Sequence, residues 1–520
     1  MHWSLEIAQR LIDNHPNTET FVCASGISPS GSVHIGNFRE LVTTHFVVKA
    51  LQKLGKKTKF IFSWDDYDRF RKVPQNVDKS YEQYLGMPYS DIPDPHGCCE
   101  SYARHFENEF EAAIEKFGIE VEYLYQNQEY KSGRYNKSII HALNKRREIY
   151  DILMEYKSQD ASDEERENFY PISLYCKSCN KDMSKILGYD EATQSLEYAC
   201  KCGHTETMDV NKADNIKLQW KIDWPMRWMT EQVIFEPGGR DHSSASGSFV
   251  VSSHIVKEIF DWNPPEYVGY EFIGIKGDNG KMSSSSGKVI TPAELTNLYQ
   301  PEGILYLFAK YNPATAFNIG FDEDIIRNYT EFERYYAKRM EGEFEDEVMN
   351  FTMELADLGR DLSRYPKYGM LVGLLPIINF DVEILEQILE ANDEDFDHQG
   401  MLEICEKIKY WITNWYPDRA IKIRDEKNTE LYESLDDDVK SAIGRFADVV
   451  KESADVHATE LMSQFYAIYA MEEDPKEKKK KQRELFKALY MLLIDRPQGP
   501  RLSLLVKVIG IDKTLELVTF

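Results

Sequence analysis

Two short polar segments, far apart in the chain, hold the residue types that could handle a polyphosphate. Pro29-Ser30-Gly31-Ser32-Val33-His34-Ile35-Gly36-Asn37 offers the His34 imidazole and the Asn37 carboxamide, with Gly31 and Gly36 letting the backbone come close to a ligand. Lys281-Met282-Ser283-Ser284-Ser285-Ser286-Gly287 offers a cation and a run of hydroxyls, with a second cation at Lys288. Groups of this kind suit attack of a carboxylate on the α-phosphorus of ATP. That step needs no acid–base side chain; it needs in-line positioning and neutralisation of charge on the departing diphosphate. Each segment also has a plainer reading. The first fits any strand–turn–helix with a locally bonded histidine, and the second fits a flexible Gly/Ser linker.

The flanking sequence argues for a built site. Thr20-Phe21-Val22-Cys23-Ala24-Ser25-Gly26 is small and β-prone, and from Asn37 apolar positions at Leu41, Val42, Phe46, Val48, Leu51 and Leu54 recur at helical spacing until Gly55. The His34 turn is therefore expected between a strand and a helix N-terminus, where unpaired backbone N–H groups and the helix dipole favour phosphate. The serine loop is bracketed by a strand-like stretch, Tyr270-Glu271-Phe272-Ile273-Gly274-Ile275, and by Val289-Ile290-Thr291-Pro292. Residues 1–320 read as alternating strand and helix, an α/β domain with inserted pieces at 80–135 and 165–210. From Asp322 strand signals nearly vanish. Amphipathic stretches at 325–349, 401–415 and 439–471 predict an all-α region over 321–520, with Asp393-Glu394-Asp395 and Asp436-Asp437-Asp438 in its loops.

With 520 residues, 42% of them hydrophobic, the chain is a globular protein of several domains. Its formal net charge of −26 sits awkwardly with a nucleic-acid partner, since such affinity rests on cations facing phosphates. Lys145-Arg146-Arg147 and the run at 476–483 are locally basic, and a solvated helix face accounts for the latter as well as a phosphate contact does. No stretch approaches a membrane span and the N-terminus lacks a signal-peptide layout, so the cytoplasm is the expected location.

Six of the eight cysteines fall into two clusters, which without a secretion signal reads as metal binding rather than disulfides. Cys176-Lys177-Ser178-Cys179 followed by Cys200-Lys201-Cys202-Gly203-His204 has knuckle spacing and a ribbon-length interval. Cys200 and Cys202 are one residue closer than usual, so His204 is an alternative to either. This insertion has too little apolar sequence to fold alone, and metal would supply its stability. Asp94, Cys98, Cys99 and His105, with His96 as a substitute, form a second set of competent ligands at a spacing that is not diagnostic alone.

Several segments, taken in order, resemble class I lysyl-tRNA synthetase over essentially the whole chain. They are Ser25-Gly26-Ile27-Ser28-Pro29-Ser30-Gly31 with the His34 turn, Ser63-Trp64-Asp65-Asp66-Tyr67-Asp68, and Pro93-Asp94-Pro95 with its cysteines. Asp223-Trp224-Pro225-Met226-Arg227-Trp228, Phe235-Glu236-Pro237-Gly238-Gly239-Arg240-Asp241-His242 and the Lys281 loop complete the set. The resemblance implies a Rossmann-like catalytic domain with zinc-binding insertions and a helical anticodon-binding region. It implies ligation of L-lysine to tRNA(Lys) through a lysyl-adenylate, with ATP and Mg²⁺, one or two Zn²⁺, no membrane and a monomeric chain. Catalysis would rest on His34, Asn37, Lys281, Ser283 and Ser284. ATP would also meet Pro29, Gly31, Gly36, Gly238, Gly239, Asp241, Met282, Ser285 and Lys288. Asn37 stands in place of the family's last signature histidine, and Ser284 in place of a second lysine, which Lys288 would replace. The resemblance also supports the second metal site.

A lysine ligand needs a buried carboxylate for its ε-ammonium and an apolar wall for its stem. Asp65, Asp66 and Asp68 follow an apolar strand at the end where open α/β sheets bind ligands, and Glu271 is a further candidate. By resemblance, Gly26 and Ser28 lie near the α-amino group, and Trp220, His242 and Tyr270 enclose the side chain. In the helical region Trp411, Trp415, Tyr416 and Arg419 could meet unpaired bases, core packing being an equal reading. Two other functions stay open: a class I synthetase for another amino acid such as glutamate, and a non-catalytic zinc-ribbon RNA-binding paralogue.

Overall fold

Five consecutive buried residues, Phe21 to Ser25, mark a strand covered on both faces, as strands inside parallel sheets are. The computed structural model describes residues 1–157, 162–277, 290–342, 344, 346–391 and 394–520; the serine loop at 281–288 lies outside them. The chain divides into two compact units: residues 1–296, 300–319 and 344–358 in the first, and 297–299, 320–343 and 359–520 in the second. Among the described residues, no helix is long and apolar enough to cross a membrane.

The first unit opens with β1 (Thr20–Ile27), β2 (Lys57–Trp64) and β3 (Glu122–Tyr125). The second insertion adds β4 (Ile172–Leu174), β5 (Ser184–Asp190), β6 (Ser195–Cys200) and β7 (Thr205–Asp209), and it runs past the expected limit at 210 to β8 (Ile216–Leu218), which pairs with β4. Then follow β9 (Phe235–Gly239), β10 (Glu266–Tyr270), β11 (Ile273–Ile275) and β12 (Phe317–Ile319). The main sheet has the order β10-β9-β1-β2-β3, and every pairing in it is parallel. From β1 the chain steps out to β2 and β3, then returns to β9 and β10 on the other side. That reversal is a topological switch point, and the crevice beyond the strand C-termini there is where open α/β sheets bind ligands.

The helix Ile35–Lys53 packs directly on this sheet. Thirteen of its nineteen residues are buried, so it runs through the core rather than over it. Leu54, expected as its last apolar contact, is instead the C-cap and 39% exposed, and Gly55 at φ +77° turns the chain away. The helix Trp220–Glu231 carries Pro225 in its interior, which deprives the Lys221 carbonyl of its helical donor. The buried Ser252 hydroxyl donates to that carbonyl instead, at 3.1 Å. Residues 344–358 belong to the first unit although they follow the expected domain boundary; their helix Glu347–Leu355 pairs Glu354 with Lys53 at 2.6 Å.

The described part of the second unit is helical. The stretch expected at 325–349 breaks after the helix Asp324–Glu341, where Gly342 adopts φ +73° as a left-handed terminus. The stretch at 439–471 likewise divides into Asp437–Lys451 and Ala458–Ala467. Asp436, Asp437 and Asp438, expected in a loop, cap and open the former helix, where their charge complements the helix dipole. Trp411 is fully buried and its indole N–H donates to the Phe321 carbonyl at 2.8 Å, Trp415 lies on Phe321, and Tyr416 stacks on Trp411. Arg419 faces Glu323 at 3.4 Å. Of the two readings for these four residues, internal packing describes where Trp411 stands.

Candidate active site

At the β1 C-terminus the chain turns through Ser28 to Val33 and enters the helix Ile35–Lys53 with His34 as N-cap. His34 Nδ1 accepts from the backbone N–H groups of Gly36 at 3.0 Å and Asn37 at 3.3 Å. An accepting Nδ1 puts the ring proton of a neutral imidazole on Nε2, so the cap fixes which nitrogen can donate. The ring lies so close over Gly36 that a Cβ there would come within 2.8 Å of it, which explains the glycine. The expectation of unpaired N–H groups at this helix start does not hold. Ile35 N–H donates to the Ile290 carbonyl at 2.9 Å, His34 takes those of Gly36 and Asn37, and Phe38 N–H donates to the His34 carbonyl at 3.0 Å. An anion here would be met by side chains. Pro29 and Gly31 are buried in the turn, and Tyr102 of the first insertion braces it with a hydroxyl bond to the Ser30 carbonyl at 2.9 Å. Lys281, Met282, Ser283, Ser284, Ser285 and Lys288 lie outside the described residues.

Beside the turn, one carboxylate gathers three elements. Glu40, on the helix, accepts from Gly26 N–H of β1 at 3.0 Å and from the Tyr270 hydroxyl of β10 at 2.7 Å. Burial pushes its carboxyl up to about 8; those two bonds oppose the shift, and the nearby Glu236 and Asp65 add to it. Glu236, on β9, is pushed up to about 7 by burial and accepts from the Trp228 indole N–H at 2.6 Å. Among the described residues neither Glu40 nor Glu236 forms an ion pair, and the charge of Arg227 opposes the shift of Glu236. Arg39 holds the far wall, donating to the carbonyls of Glu271, Asn312 and Thr315 at 2.6, 3.1 and 2.8 Å.

The other expected pocket residues are distributed unequally. Trp220 stacks on Trp224 at 5.0 Å, and the His242 ring lies 5.7 Å from Trp224, forming an aromatic wall. Asp65 is close enough to act on Glu40 but already meets a protein cation, Arg227, at 2.7 Å, and Ser28 donates to Asp68 at 3.2 Å. Asp66 is buried and caps Asn127 N–H at 2.7 Å, a structural task. Glu271 turns its carboxylate to Arg240 at 3.4 Å. Gly238 is flat against Tyr267, whose hydroxyl would lie 2.5 Å from an added Cβ; Gly239 lies against Tyr270, and Asp241 is exposed. Sequence reasoning missed Glu40, Glu236, Arg39 and Arg227. The available signal was an Arg39–Glu40 pair inside an otherwise apolar helical stretch.

Both cysteine clusters come together. Cys176, Cys179, Cys200 and Cys202 present sulfurs within 4.8 Å of one another, as do the donor atoms of Asp94, Cys98, Cys99 and His105. The Cys176–Cys202 and Cys179–Cys200 sulfurs are 3.7 Å apart. A tetrahedron with metal–sulfur bonds of ~2.3 Å has edges of ~3.8 Å, so the four thiols fit a metal ion. The second set has edges of 3.2 Å from Cys98 to His105 and 3.3 Å from Asp94 to His105, suited to shorter nitrogen and oxygen bonds. Asp94 is held for this by backbone N–H bonds from His96, Cys98 and Cys99. His204 points to Glu206 at 3.5 Å rather than joining the four cysteines, and His96 packs on the His105 ring at 4.6 Å.

Comparison with known proteins places these features in a family. Residues 1–358 match the family model described as tRNA synthetases class I (K). A lysine–tRNA ligase of Treponema pallidum is 36% identical over 99% of this chain and 97% of its own length. One from Borreliella burgdorferi is 37% identical over 98% of each. One from Pyrococcus horikoshii is 35% identical over 97% of this chain and 96% of its own. With the parallel sheet, the His34 turn and two metal-competent clusters in place, the chain belongs to the class I tRNA synthetases of the lysyl type.

Proposed function

We propose that this enzyme activates L-lysine with ATP and Mg²⁺ to lysyl-adenylate and diphosphate, then passes the lysyl group to the 2′-hydroxyl at the 3′ end of tRNA(Lys). The observation that carries the amino-acid choice is Glu40: a carboxylate in protein surroundings, anchored by Gly26 N–H and the Tyr270 hydroxyl, with Glu236 close enough to raise its proton affinity. Two such acids suit an ε-ammonium and repel a glutamate side chain. Trp220, Trp224 and His242 wall the stem, and Ser28 with Asp65 and Asp68 lies toward the α-amino end.

His34 and Asn37 bind the triphosphate through their side chains, with Pro29, Gly31 and Gly36 shaping the turn beneath it. Gly238, Gly239 and Asp241 border the adenosine. Lys281, Ser283, Ser284 and Ser285, with Met282 and Lys288, close on the departing diphosphate. Charge neutralisation and in-line placement then supply the rate. The two clusters bind one Zn²⁺ each and act structurally, having four protein ligands and no open position. The helical unit receives the anticodon, the chain works as a monomer, and its place is the cytoplasm.

ATP–diphosphate exchange with each amino acid in turn tests the reading, using protein that elemental analysis shows to hold two zinc ions per chain. Lysine alone is expected to support exchange. Glutamate-dependent exchange, or none with lysine, would overturn it; a zinc content of one or zero would overturn the double assignment.

A further inference from the structure

Lys217 sits in the middle of β8 and is only 5% exposed. A lysine is rarely so buried, and its charge is tolerable there only when paired. Its Nζ lies 2.9 Å from Asp68 and 3.0 Å from Asp223. Asp223 also meets Arg227 at 3.1 Å and accepts from the Tyr130 hydroxyl at 2.5 Å, and Arg227 meets Asp65 at 2.7 Å. The result is an alternating row, Asp68–Lys217–Asp223–Arg227–Asp65, of three acids and two bases. Its surplus of one negative charge belongs to its ends, which border the pocket. Asp68 accepts from Ser28, and Asp65 follows Trp64 at the β2 C-terminus, with its N–H on the Ile27 carbonyl at 3.0 Å.

The lysine is delivered by the metal-competent insertion. Lys217 is in register with Ser173 of β4, and β4 runs on into Tyr175 and Cys176. Tyr175 N–H donates to the Asn215 carbonyl at 2.9 Å, and the Asn215 side-chain amide donates back to the Tyr175 carbonyl at 2.7 Å. Buried ion rows of this kind seldom add stability over an apolar replacement, so their retention asks for another reason.

We propose that Lys217 is a positioning residue for the amino-acid substrate. It holds Asp68 and Asp223 so that the row presents a single net negative charge, framed by Ser28 and Asp65, to the substrate's α-ammonium. Without Lys217, Asp68 loses the partner that aims it at Ser28, and its charge stands in the row uncompensated. The inference rests on the amino-acid reading of the pocket above.

The test uses the full chain and lysine-dependent ATP–diphosphate exchange at one pH. Exchange by the unsubstituted chain settles the function itself, so the two failures are separate. Lys217→Met leaves the row with one negative charge too many, and Asp68→Asn leaves it neutral. Each is expected to raise the KM for lysine about tenfold or more while the KM for ATP stays put. The double variant restores the original balance, and its KM for lysine is expected within about threefold of the starting value. Unchanged KM for lysine in Asp68→Asn, or a double variant as poor as the product of the singles, would overturn the proposal. If Lys217→Met does not fold, Asp68→Asn against the double variant decides by the same measure; a double variant that also fails to fold shows Lys217 to be structural and overturns it.

Discussion

The His34 turn, proposed to take the nucleotide, and the Glu40 cluster, proposed to take the amino acid, both draw on the C-terminal end of β1, yet they are assembled in opposite ways. The turn occupies residues 29–37, and its geometry is local: His34 caps its own helix, and Gly36 gives the ring its seat. The proposed pocket draws Gly26, Glu40, Asp65, Glu236 and Tyr270 from five separate segments, joined through Glu40 by long-range hydrogen bonds and braced by two cations. Arg39 ties down the chain after β10, and Arg227 fixes Asp65. A locally built site fails one residue at a time and through the rate. A site held by shared charges fails through affinity, and its members do not add.

The largest effect tests the first half of that contrast. His34→Ala and His34→Asn both remove the Nε2 donor, and each is expected to lower kcat of exchange by about 10²–10³-fold, as loss of one preorganised donor does. The KM for lysine should hardly move. A change confined to KM would join the two regions into one and remove the distinction.

Glu40→Gln tests the other half. It keeps a hydrogen-bonding partner for Gly26 or Tyr270 but cannot carry charge. Loss of a charge-assisted bond of ~1.5–3 kcal/mol should raise the KM for lysine about tenfold to a hundredfold, with the KM for ATP unchanged. The same residue sets a pH dependence. Its carboxyl is pushed up to about 8 by burial, and Glu236 up to about 7, so at pH 6 both are mainly protonated in the pocket without substrate. An ammonium ligand favours the ionised form. Lysine should therefore bind better as pH rises from 6 to 8, by at most about tenfold per unit for each group, and level off above. Glu40→Gln should flatten the upper part of that curve. A KM for lysine that is flat with pH in the unsubstituted chain would remove Glu40 as the counter-ion.

The same contrast decides what could be read from sequence. The turn was legible because its strand, its glycines, its histidine and its helix follow one another, and the ordering of the remaining motifs pointed to the lysyl family. The cluster of Cys176, Cys179, Cys200 and Cys202 was legible from ligand spacing, and that of Asp94, Cys98, Cys99 and His105 only with the help of the resemblance. The acids Glu40 and Glu236 were not, nor was the pairing of Asp65. Asp65, chosen for its place after an apolar strand, is met by Arg227, and only tertiary structure reveals such a pair. Glu40 hides in a helix whose other residues are largely buried, where a glutamate would ordinarily be assigned to a solvated face. Lys217 sits in a three-residue strand buried throughout, too short for alternation to show that its side chain points inward. In the helical unit the amphipathic stretches were clear, but their breaks were not: Gly342 ends one helix early because it alone takes the left-handed terminus cheaply.

The smallest effect separates the two tasks that the locally built turn places on one residue. As a cap, His34 needs only an acceptor at Nδ1 for the N–H groups of Gly36 and Asn37. Asparagine offers one and alanine does not. His34→Asn should therefore keep the unfolding temperature of the unsubstituted protein, while His34→Ala should lose about 1 kcal/mol. In a unit of this size that is a fall of about 2 °C or less, read by calorimetry. Both variants should nevertheless be equally poor in exchange, because neither has a donor where Nε2 stood. Equal stabilities would mean that the cap bonds do not support the helix. Restored exchange in His34→Asn alone would mean that the rate depends on the cap geometry rather than on the imidazole proton, which would make the turn as cooperative as the pocket beside it.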